Sequence, residues 1–207
     1  MPLVREQKTV PVETDERKQA RDCSSLVAQL SDADPAARRW AARDLLECSG
    51  ASQALVDRLQ NEEDSSVRDV ILTVLAGIGD ETAIQGLVEC LRSEDAALRN
   101  EVIEVMKQLP DEVAPVILLL LKDPDSDVRI FAVNILESLR HPKVEEWLAE
   151  VIEEDPHINV CGSALDLLGE VGTEYSLEAL HRLKQRFPDE PYIRFAADLA
   201  LKRIGKN

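Results

Sequence analysis

Positive charge is scarce in this chain: 24 Lys and Arg stand against 40 Asp and Glu, a formal net charge of −16. Such a surface repels phosphate backbones and anionic lipid headgroups, so neither nucleic acid nor membrane is expected as a partner, and a basic protein segment is favoured. Aromatic residues make up only 3% of the chain, too few to furnish a base-stacking groove. Glycine numbers 8, and with Ala, Leu and Val abundant the balance tips to helices over strands. The longest dense apolar run, Val116 to Leu121, falls far short of the roughly 18–20 residues that cross a bilayer. The opening residues carry scattered charges and lack the apolar stretch of a secretory signal, which points to the cytoplasm. Four cysteines, Cys23, Cys48, Cys90 and Cys161, are widely spaced with no CxxC pair. That spacing is expected of reduced, mostly packed thiols in a reducing compartment.

What the chain does have is a repeat. The segments opening at Asp34, Asp64, Asp95, Asp125, Asp155 and Glu190 superpose, at intervals of 30, 31, 30, 30 and 35 residues. Each leading acid reads as a helix N-cap, and Pro35, Pro156 and Pro191 follow theirs directly, where a missing N–H costs nothing. Three residues past the acid comes Ala37, Val67, Leu98, Val128, Ile158 or Ile193, and four past it Arg38, Arg68, Arg99, Arg129, Asn159 or Arg194. Small or apolar residues recur at seven, ten and eleven, the helical period, with lapses at Asp44 in the first unit and Asp166 in the fifth, and the fifth unit departs from the pattern at Asn159, Gly162 and Asp166. A second amphipathic segment precedes each capped helix, so every unit is a helix pair. A pair of that size cannot bury its own apolar face, and six stacked pairs sharing one core are expected: an all-α, right-handed solenoid without strands. Residues 1–14, with Pro2 and Pro11 and no period, read as a mobile arm, and residues 15–207 as the single solenoid domain.

The recurring charges are expected to form a structural ladder of Asp34, Arg38, Asp64, Arg68, Asp95, Arg99, Asp125, Arg129, Asp155 and Arg194 that fixes stacking register, weakest at the fifth unit. A loop acid, then VR or LR, then alanine or valine and later leucine, at about 30-residue spacing, resembles the HEAT-like repeats of the phycobilisome-lyase type. The resemblance spans roughly residues 15–207, with five of six units keeping the arginine. It implies two readings: a scaffold without chemistry, or a bilin lyase or other chromophore-handling protein. In the second, Arg39 and Cys161 are the available groups for propionates and pyrroles.

Motifs for chemistry are missing. His141, His157 and His181 form no metal motif, and neither a Gly-rich phosphate loop nor a GxSxG elbow is present. The HE pairs of iron-binding HEAT hydroxylases are missing too. His157 and Cys161, four apart on one helix face, are the single pairing that could activate a thiol. The sequence therefore names no catalytic residue, metal or cofactor, and favours a non-catalytic protein-interaction scaffold or adaptor. In HEAT-like arrays the second helices line the concave side. Positions five and eight past the acid are expected to face it, which gives a partly apolar, acid-rimmed partner groove of Arg39, Leu72, Ile103, Ile130, Val133, Val160 and Phe195, suited to a basic or amphipathic segment. Leu118 and Leu119 form a candidate apolar strip on the first helix of the fourth unit, where self-association or a dedicated partner would attach.

Overall fold

A computed structural model of the protein describes residues 22–139 and 141–205, so the expected arm at 1–14 lies outside the described residues. Twelve α-helices and two short 3₁₀ turns make up the described chain, without a strand among the described residues. The helices alternate as first and second members of six pairs. They are α1 (Cys23–Gln29) with α2 (Pro35–Asp44), α3 (Ser52–Leu59) with α4 (Ser65–Ile78), and α5 (Glu81–Cys90) with α6 (Ala96–Met106). They continue with α7 (Pro110–Leu120) and α8 (Ser126–Leu136), α9 (Val144–Glu154) and α10 (Ile158–Val171), and α11 (Leu177–Arg186) and α12 (Pro191–Ile204). The second helices stack in chain order, α2 on α4 on α6 on α8 on α10 on α12, and α3 on α5 and α9 on α11 pack in the other layer.

The sequence dictates these elements locally. Asp34, Asp64, Asp95 and Asp125 each accept a backbone N–H from the first turn of their helix, satisfying donors that would otherwise be orphaned. Gly79 ends α4 in the left-handed region at φ 59°, a conformation costly for any residue with a Cβ. A Cβ on Gly86 would lie 2.2 Å from Val56 Cγ2, so glycine is what lets α5 close on α3. One apolar core runs through all six pairs, from Leu26 and Leu30 to Ala200 and Ile204.

The fifth unit corrects the register read from sequence. Asp155 does not cap α10: His157 is the N-cap, and Asp155 accepts the His157 N–H at 2.8 Å. In the other units the residue two before the cap does the same, as Asp32, Glu62, Ser93 and Asp123 accept the N–H of Asp34, Asp64, Asp95 and Asp125. Asp155 therefore belongs to that column. With the cap at His157, Val160, Ala164 and Leu168 fall three, seven and eleven residues on and are buried, so Gly162 and Asp166 are not departures from the pattern. The arginine column at this unit is occupied by Cys161, not Asn159. Glu190 begins α12 without a side-chain cap bond.

The buried arginines join consecutive units. Arg38 Nε and Nη2 donate to Glu62 at 2.8 and 2.7 Å, while Nη1 donates to the carbonyls of Asp32 and Ala33. Arg129 repeats the arrangement three units later in the array: Nε to Asp155 at 2.6 Å and Nη1 to the Asp123 carbonyl at 2.8 Å. Arg68 has no acid at Ser93 to reach, and pairs instead with the Asp95 cap at 2.6 Å and with Glu101 at 3.1 Å. Asp123 is held by Arg92 from the preceding loop, and Arg99 donates to the Ser93 carbonyl and lies over the Phe131 ring. Arg194 is exposed, and no side-chain ion pair is seen for it among the described residues. The rungs from Arg38 and Arg129 thus run to the acid two residues before the next cap, Arg68 reaches the Asp95 cap itself, and the other cap aspartates mainly serve backbone N–H groups.

The expectation of four free thiols holds for Cys90 and Cys161, both buried, and fails for Cys23 and Cys48, which form a disulfide. Helix α1 folds back along α2, so residues 25 apart in sequence come to a Cα separation of 5.8 Å, a proximity that linear spacing does not show.

Candidate interaction surfaces

The arginine column identifies which way each second helix faces. Position four past the cap points to the next unit, and position eight lies only about 40° round the helix from it. Leu72, Ile103 and Val133 occupy position eight and are 2%, 5% and 1% exposed, covered by the following unit; the expectation that they face a groove is corrected by this geometry. Val160, at position three in the observed register, is fully buried as well. Of the seven groove residues, Ile130 is half-buried and only Arg39 and Phe195 are exposed. Arg39 donates to the Ser66 hydroxyl of the next unit at 3.3 Å.

The open face of the second helices is built instead from positions five and nine. Asp69, Thr73, Asn100, Glu104, Asn134 and Asp166 are exposed there. At its far end stands an apolar row that the sequence reading missed except for Phe195: Tyr192, Phe195 and Leu199 are 52%, 68% and 59% exposed. Their spacing of three and four residues puts them on one side of α12, and that spacing was the available signal. Acids flank the row on α10 and α12, while exposed Lys202 continues its line one turn on. Asp166 accepts from the Tyr192 hydroxyl, and this hydrogen bond, with burial, pushes the Tyr192 phenol up to about 12. Glu170 and Asp198 are exposed nearby, Asp198 paired with Lys184. At the opposite end, Arg39, Arg43 and the 47%-exposed Trp40 form a small basic-aromatic corner.

In the layer of first helices, Leu118 and Leu119 are 41% and 74% exposed on α7. Leu118 also lines a cleft of about 310 Å³ between α7 and α9, shared with Leu121, Trp147 and Val151 and edged by charged residues. The indole of Trp147 stacks on the His141 ring at a centroid distance of 4.6 Å.

The two free thiols are buried. Cys161 is enclosed, its Sγ directed at the carbonyls of Asp155 and Val151, and burial raises its thiol above the ordinary range. His157 does not activate it, and a bilin could not reach it without opening the core. Burial likewise pushes the Cys90 thiol up to about 11. Among the described residues no group of three His, Cys, Asp or Glu is placed to hold a metal ion, and no helix is long and apolar enough to cross a membrane.

No curated protein matches the sequence. Among solved structures, the chain is similar to an archaeal HEAT-like repeats protein from Thermococcus onnurineus NA1, at 16% identity, TM-score 0.48, covering 89% of this chain and 87% of that one. It is similar to the complex of CpcE and CpcF of phycocyanin lyase from Nostoc sp. PCC7120 at 19% identity and TM-score 0.36, covering 95% and 100% of the two chains. An engineered protein matches at 24% identity and TM-score 0.44, covering 90% and 100%. The family model described as HEAT repeats matches residues 23–107 and 113–202, most of the chain and every helix pair. The protein belongs to the HEAT-repeat family.

Proposed function

We propose that the protein is a non-catalytic interaction scaffold whose second-helix face receives a basic segment of another protein that carries apolar residues. The observation that carries this reading is the Tyr192, Phe195 and Leu199 row, exposed among carboxylates of α10 and α12. Three large apolar side chains aligned in water are a surface that gains free energy by being covered. The acids around them favour a cationic partner and speed its arrival. Thiols are enclosed and the inner arginines are bound to carboxylates and carbonyls, so the face offers recognition and no reacting group.

Peptides selected from a random display library on the purified protein test this. Selected sequences are expected to combine Lys or Arg with Leu or Phe, and a Phe195→Ala/Leu199→Ala variant is expected to bind them about tenfold more weakly or worse. Selected peptides that bind the variant as tightly as the parent would overturn the reading.

A further inference from the structure

The cleft between α7 and α9 lies in the other layer of the solenoid, and its chemistry is of a different kind from an open helical face. We propose that it is a separate docking site that accepts a bulky apolar side chain from a helical segment of another protein, with a lysine or arginine about one turn away. It stands whether or not the second-helix face is used.

Three observations converge on it. The cleft has a volume of about 310 Å³ and an apolar floor of Leu118, Leu121, Trp147 and Val151, within the range of pockets that hold an organic group. Trp147 is only 6% exposed and stacks on the His141 ring, so packing holds this part of the floor in place. Outside the pocket, next to Leu118 on the same helix, Leu119 is 74% exposed. A small molecule would fill the pocket and leave Leu119 wet; a side chain projecting from a helix would fill the pocket while the helix covers Leu119.

The charges select the sign of the partner. Two cations line the cleft, Arg129 and Lys122, against four carboxylates, Asp123, Glu150, Glu154 and Asp155. Both cations are engaged, Arg129 with Asp155 at 2.6 Å and Lys122 with Glu150 at 2.8 Å, and Asp123 is held by Arg92. The carboxylate left over after these pairs is Glu154, exposed at the rim. A cation beside the inserted side chain meets this carboxylate, and an anion is repelled. Partners read in this way, by apolar anchors on one helical face, follow the helix-in-groove mode.

Trp147 reports on its own pocket. The chain has two Trp, so a Trp40→Phe background leaves Trp147 as the sole indole. The probe is a synthetic helix-forming peptide with leucines along one face flanked by lysines, compared with a version in which serine replaces the leucines and one in which glutamate replaces the lysines. The Leu/Lys peptide is expected to shift Trp147 emission saturably, and both counterparts to fail. Leu118→Glu, at an exposed position, is expected to keep the helical circular dichroism and weaken binding at least about tenfold. Phe195→Ala/Leu199→Ala should leave this signal unchanged, which separates failure here from failure of the second-helix face. Equal binding of the Ser/Lys peptide, no effect of Leu118→Glu, or a parent dimer that Leu118→Glu dissociates in sedimentation would each overturn the proposal, the last in favour of a second copy of this chain.

Discussion

The Cys161 thiol donates to the Asp155 carbonyl at 3.3 Å, in the place where guanidinium groups of Arg38, Arg99 and Arg129 donate to the carbonyls of Asp32, Ser93 and Asp123. A thiol is a weak donor, and the chain compensates from another helix. Arg186 of α11 donates to the carbonyls of Ile152 and Asp155, each at 2.6 Å. The position that would hold the matching acid, two before Glu190, is Pro188. Arginine and acceptor are replaced together.

Arg186→Ala is expected to leave those two carbonyls without a charged donor and to cost roughly 1–3 kcal/mol. Arg182→Ala, which removes half-exposed pairs to Glu178 and Glu153, should stay within about 0.5 kcal/mol. Urea unfolding of the two variants in parallel checks the contrast.

Replacing Arg129 by methionine strands the Asp155 carboxylate, whose side chain is 5% exposed, and is expected to cost roughly 3–5 kcal/mol. The same change at exposed Arg194 should be nearly silent, within about 0.5 kcal/mol. Thermal unfolding monitored at 222 nm by circular dichroism measures both; equal effects would deny that the inner arginines join units.

Acid should remove a defined part of the stability. Burial alone would raise the Glu62 carboxyl, yet hydrogen bonds from Arg38 and Arg58 and the Asp64 N–H outweigh it and hold it at about 2, against an ordinary 4.5. The folded value is depressed, so the contribution, on the order of 3 kcal/mol, is complete above pH 4.5 and fades as pH falls towards 2. Glu62→Gln is expected to lower stability at pH 7 and to flatten its fall over that interval, in urea titrations at stepped pH.

Thiol counting distinguishes the cysteines. The native protein is expected to react negligibly with a disulfide reagent at pH 8, because Cys90 and Cys161 are buried and their thiols raised. Denaturant without reductant should expose two thiols, and denaturant after reduction all 4. Four reactive thiols without reductant would contradict the Cys23–Cys48 bond.

The solenoid was legible because its period is written in side chains that cannot be elsewhere: Val67, Ile71 and Leu75 at three, seven and eleven past Asp64 are all fully buried. The fifth unit misled because Asp155 and Pro156 imitate a cap and its proline, whereas the real cap, His157, makes no side-chain cap bond and leaves no mark in the sequence. The groove was half legible. Phe195 could be placed on the open face from helical period alone, but Leu72, Ile103 and Val133 could not, since burial at position eight depends on how closely the next unit approaches. The α7–α9 cleft was visible only through Leu118, because Trp147 and Val151 in its floor come from a different helix.

Pro188 and Cys161 set the fifth-to-sixth joint apart electrically. There the cations Arg186 and Arg203 grip main-chain oxygens of Ile152, Asp155 and Gly172, acceptors that take up no proton in mild acid. Rungs at Glu62 and Asp123 depend on carboxylates that their arginines hold below the ordinary range, and loosen as acid neutralises them. At the last joint Glu145 and Glu153 still reach the sixth unit, so acid weakens that joint in part, whereas its cation-to-carbonyl bonds persist.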